Sequence, residues 1–145
     1  MADDRVKILN DLKSALTSIR RENGFRSTCD RIERGIWLPE DISERPAITL
    51  YNTDSKIIET TTTFEVSGLR ELNIIITGFT LWGKENPNDL DALASDIEDF
   101  FNSKTYNPYF SWTQLGDWMF YEGPSVDPIG ICQLIVKVKY AFNDP

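Results

Sequence analysis

Two long β-prone segments, Lys56 to Val66 and Leu69 to Trp82, constrain the fold of this chain more than any other feature. Branched and aromatic side chains dominate both, and such residues favour the pleated backbone. Ser67-Gly68 lies between them, and glycine accepts the positive φ of a tight turn, so the pair predicts a long antiparallel hairpin. In the second arm Leu72, Ile74 and Ile76 fall on one face and Ile75, Phe79 and Leu81 on the other. Both faces therefore carry apolar residues that need cover.

Helices supply cover on either side of the hairpin. From Asp3 to Asn23 the residues Ile8, Leu9, Leu12, Ala15, Leu16 and Ile19 follow helical spacing, with a cap at Asp3 or Asp4 and a left-handed stop at Asn23-Gly24. A second helix starts at Asn86-Pro87-Asn88, carries Leu90, Leu93, Ala94, Ile97, Phe100 and Phe101 at the same spacing, and ends near Asn102 or Ser103. Its opposite face holds Asp89, Asp91, Asp96, Glu98 and Asp99, either a solvated face or an acidic contact or lumen surface.

The remaining segments read as strands and loops. Phe25 to Trp37 suits an extended, half-exposed strand, and Leu38-Pro39-Glu40-Asp41 breaks it. Arg45-Pro46 leads into a strand over Ala47 to Tyr51, proline being tolerated where no ladder donor is needed. Tyr106 to Pro124 reads as a loop followed by a strand around Asp117 to Glu122. Ile131 to Phe142 alternates cleanly, with Cys132, Leu134, Val136, Val138, Tyr140 and Phe142 on one face and Gln133, Lys137 and Lys139 on the other. Helix, strands, helix, strands predicts one α+β domain over residues 1–145, a mainly antiparallel sheet packed against the two helices.

Composition narrows the chemistry. The 145 residues include no histidine, which removes the usual general base, the commonest metal ligand and every Ser-His or Cys-His arrangement. Carboxylate pairs such as Glu40 with Asp41 or Asp96 with Asp99 exist, but nothing sets two of them in an apolar cleft. No phosphate-binding glycine loop or zinc-protease motif is present, and the oxygen-rich Asn86 to Asp91 reads as a helix cap rather than a calcium loop. The expectation is a protein that is not an enzyme and holds no cofactor and no metal. Cys29 and Cys132 are far apart and without metal-ligand spacing, and they are expected as free buried thiols rather than a disulfide. The N-terminus lacks the pattern of a signal peptide and no apolar run would span a bilayer, so a cytosolic chain without a membrane partner is expected.

A net charge of −8 argues against an electrostatic grip on nucleic acid. Aromatic residues make up 12% of the chain, and those between Tyr106 and Tyr121 include Trp112 and Trp118. Such residues either fill the core or anchor an interface between proteins. Trp112, Trp118 and Tyr121 are the candidates there. Lys56, Thr60 and Thr62 join them, because that hairpin arm is too polar to be covered by so small a domain and could pair with or lie across a neighbour.

The N-terminal helix, the entry Arg45-Pro46-Ala47-Ile48-Thr49-Leu50, the arm Leu69-Arg70-Glu71-Leu72-Asn73-Ile74-Ile75-Ile76-Thr77-Gly78, the acidic helix Asp91-Ala92-Leu93-Ala94-Ser95-Asp96-Ile97 and the closing strand ending in Lys139-Tyr140 together resemble phage tail terminator proteins, also called tail completion proteins. The likeness covers nearly the whole chain in element order, without a chemical signature. It implies a hexameric ring in the virion neck, assembled in the host cytoplasm, that binds the end of the tail tube, stops its polymerisation and meets the head connector. DNA would pass through such a ring without being read. The alternatives are a head-closure or neck adaptor, a tail tube subunit, or a cytosolic small-ligand-binding module walled by the aromatic segment.

Overall fold

The computed structural model describes residues 4–35, 46–62, 66–81, 88–102, 112–115, 119–122 and 129–144. For residues 4, 54–62, 66–70, 112–115, 119–122 and 139–144 only the backbone and its pairing are described. Among these residues the fold is α+β: two α-helices and a mixed, mainly antiparallel sheet.

Helix α1 runs from Asp4 to Leu16 and buries Ile8, Leu9, Leu12 and Leu16. It stops seven residues short of the expected Asn23. The amides of Thr17, Ser18 and Ile19 turn to the carbonyls three residues back, and the Thr17 hydroxyl donates to the Ser14 carbonyl at 2.6 Å. The Thr17 hydroxyl thus competes for a carbonyl of the α-helical ladder, and the helix tightens and ends there. Ile19 is buried nonetheless. Gly24, at φ 93°, supplies the left-handed stop, but to a short 3-10 turn over Arg21–Asn23 rather than to α1.

Strand β1 is Arg31–Arg34, much shorter than the predicted Phe25 to Trp37, and it lies parallel to β2 with Arg31 beside Ala47. The segment before it spends its amides elsewhere: Cys29 donates to the Ile19 carbonyl at 2.9 Å, and Arg26 and Ser27 donate to a carboxylate of the second helix. Residues whose donors are taken in this way cannot join a ladder.

Strands β2 (Ala47–Thr62) and β3 (Val66–Leu81) form the long hairpin, antiparallel from Ala47↔Phe79 to Thr62↔Val66. Two details differ from the sequence reading. Ala47 to Tyr51 and Lys56 to Val66 belong largely to one strand, with register shifts between Asn52 and Ser55 and between Ile57 and Glu59. Ser67-Gly68 is not the turn, since Ser67 pairs with Thr61 and Gly68 with Thr60 inside the ladder. A turn at Ser67-Gly68 would set Val66 opposite Leu69 and, in regular register, Ile76 opposite Glu59. The observed register sets Ile76 opposite Leu50 and Gly78 opposite Ile48. Burial of these apolar rows fixes the pairing and overrides the local turn signal.

Strand β6 (Ile129–Asp144) pairs with β3 along its whole length, from Val66↔Asp144 to Leu81↔Ile129. On its other side lie β4 (Trp112–Leu115) and then β5 (Met119–Glu122). Strand β5 is the one expected around Asp117 to Glu122, whereas β4 arises where a loop was predicted. The sheet order is β1-β2-β3-β6-β4, with β5 also against β6.

Helix α2, Asp89–Asn102, follows its predicted bounds closely. The Asn88 carbonyl accepts the first helical bond, from the Ala92 amide at 3.0 Å. Both helices pack on one sheet face, where Ile48, Leu50, Leu72, Ile74, Ile76, Cys132, Leu134, Val136 and Val138 meet their buried stripes. Close approach of α2 depends on Gly78. A Cβ there would stand 2.9 Å from both Leu93 Cδ2 and Cys132 Sγ.

Candidate functional site

The three long strands have 16 residues each and so extend ~53 Å, at about 3.3 Å per residue. Helix α2 has 14 residues and spans ~21 Å at about 1.5 Å per residue, and α1 is shorter still. The helices lie side by side, α1 over β1 and β2, α2 over β3 and β6. They cannot cover the strands end to end. The described helix-facing core on β3 begins at Leu72, and beyond it run Val66 to Glu71 with their β2 and β6 partners.

That far end holds three of the predicted positions. Lys56 pairs with Glu71, which pairs with Lys139, so a base, an acid and a base succeed one another across three strands. Thr60 pairs with Gly68, and Thr62 with Val66 beside Asp144. Strand β1 accompanies β2 only from Ala47 to Leu50, so among the described residues no strand lies on the outer side of Lys56, Thr60 and Thr62.

The aromatic candidates, near in sequence, are spread along β6. Trp112 pairs with Lys139, in the same row as Lys56, while Tyr121 pairs with Ile131. Eight residues of β6 separate those two partners, or ~26 Å of strand. Trp118 lies outside the described residues.

The acids of α2 do not form one solvent face. Asp89 and Asp91 are exposed in the first turn, Glu98 is half-buried and Asp99 is exposed. Asp96, predicted on that face, is fully buried at 0% exposure. Its Oδ1 accepts the Arg26 backbone amide at 3.0 Å and its Oδ2 accepts the Ser27 amide at 2.8 Å. The Arg26 guanidinium adds 3.2 Å to Asp96 Oδ1 and 2.7 Å to Asp99 Oδ2. Asp96 is therefore a clamp that ties α2 to the segment entering β1, a correction to its reading as a lumen or solvent residue. A signal for it existed: position 96 follows Leu93 by three and precedes Phe100 by four, and so lies on the apolar stripe. The hydrogen bonds that the Arg26 guanidinium donates, to Asp99 first and to Asp96 second, raise its pKa.

The two thiols are buried and free. Burial pushes each up to about 12, so both stay protonated near neutral pH, and a protonated thiol is neither a nucleophile nor a metal ligand. Among the described residues no three His, Cys, Asp or Glu side chains cluster as a metal site would require.

On the sheet face away from the helices, Ala47, Phe79, Ile129 and Ile131 form a second buried cluster. Two rows along, Tyr51, Ile75 and Ile135 succeed one another across β2, β3 and β6, with Ile135 40% exposed. Comparison with protein-family models and with curated proteins matches none of them.

Proposed function

We propose that this chain is a structural assembly subunit of the phage tail terminator type, acting as a ring on the head-proximal end of a tail tube. In this reading the ring, hexameric as the resemblance implies, ends tube polymerisation, offers a joint to the head connector, and lets DNA pass without specific contact. The observation that carries the reading is the three-stranded ribbon of β2, β3 and β6, ~53 Å long against helices of ~21 Å or less. A small domain whose sheet extends well past its described helices has strand surface to offer a neighbouring subunit or the tube. Lys56, Thr60, Thr62 and Trp112 lie on that part of the sheet or at its base. The buried, neutral thiols support an assembly role over cysteine catalysis.

The test is the mass of the purified protein in solution, followed by electron microscopy with isolated tail tubes. A closed ring that caps one tube end is expected. Long cylinders formed by the protein alone would point to a tube subunit instead, and a monomer that leaves tube ends bare would refute the proposal.

A further inference from the structure

We draw no further inference here: the strongest candidate, the apolar strip of Tyr51, Ile75 and Ile135 on the sheet face turned away from the helices, carries nothing because no described residue shows what covers it.

Discussion

Replacing Asp96 by Asn tests the clamp most directly, because the two side chains have nearly the same shape and differ in what they accept. In the native clamp each carboxylate oxygen takes one backbone amide, Arg26 on Oδ1 and Ser27 on Oδ2. An asparagine has one oxygen and one NH2, so whichever way it is turned a donor faces a donor. One charge-assisted bond is lost, worth about 1.5–3 kcal/mol, and a backbone amide loses its acceptor, at about 1–3 kcal/mol if it stays buried. Part of that second cost vanishes where water reaches the amide, and the Arg26 side chain is exposed enough for its ion pair to be screened. A net loss of about 3 kcal/mol is expected, roughly a 10 °C fall in melting temperature for a domain of this size. Urea denaturation should show a lower midpoint with an unchanged slope, and the Ser27 and Arg26 amides should exchange hydrogen faster than in the native protein. Arg26→Ala is the control: it leaves both backbone bonds in place and should cost less than Asp96→Asn. An Asp96→Asn protein as stable as the native one, with unchanged exchange at Ser27, would refute the account of the clamp.

Gly78→Ala should destabilise the fold by about 1–3 kcal/mol, as overpacked cores do, since its Cβ would meet Leu93 and Cys132 at 2.9 Å; a denaturation midpoint equal to the native one would show that α2 can move away. Both thiols should react slowly with a disulfide reagent at pH 8 in the folded protein and quickly in denaturant, and a fast folded-state reaction would contradict their burial. With both pKa values raised from 9.0 to about 12, the unfolded chain releases these protons first, so their contribution to stability is intact below pH 9 and falls as pH rises from 9 to 12; denaturation midpoints across that range check the sign. With double-stranded DNA at low salt, about 50 mM, little or no binding is expected, and micromolar binding that weakens steeply with added salt would reveal a basic surface.

The sequence was most legible where periodicity alone decides. The stripe of α2 set its bounds, and the alternation of Cys132, Leu134, Val136 and Val138 named the buried face of β6 correctly. It was least legible where a local signal competes with a distant one. Ser67-Gly68 is a good turn pair, yet the apolar rows of Ile48 and Leu50, up to twenty residues earlier, fixed the register and carried the turn away from it. Helix α1 ends early where the Thr17 hydroxyl competes for the Ser14 carbonyl, while Ile19 is buried and so fits the helical pattern. Asp96 was misread because a carboxylate in a helix is ordinarily solvated, and only the long-range partners Arg26 and Ser27 make its burial tolerable. Trp112 and Tyr121 looked like one cluster because a strand separates in space what the sequence keeps close.

The clamp also changes where any repulsion of DNA would have to arise. Asp96 is withdrawn into the interior and Asp99 is held by Arg26. Asp89 and Asp91 lie in the first turn of α2, where negative charge favours the helix dipole. Four of the five acids thus have an account within the fold, and an acidic lumen lining needs none of them. What remains is the overall balance, and it is uneven. Residues 1–45 contain nine bases and nine acids, whereas residues 46–145 contain six bases and fourteen acids, so the whole surplus of eight lies in the later part. Repulsion of a duplex would then follow from that diffuse surplus along the later part of the chain rather than from one helix face, and would be screened over about 10 Å at 0.1 M salt. A charge spread in that way presents no local well or barrier to a sliding strand, so neutralising Asp89 and Asp91 together should leave DNA binding as weak as in the native protein. If that double change alone produced tight binding, the helix face would matter after all and the diffuse account would fail.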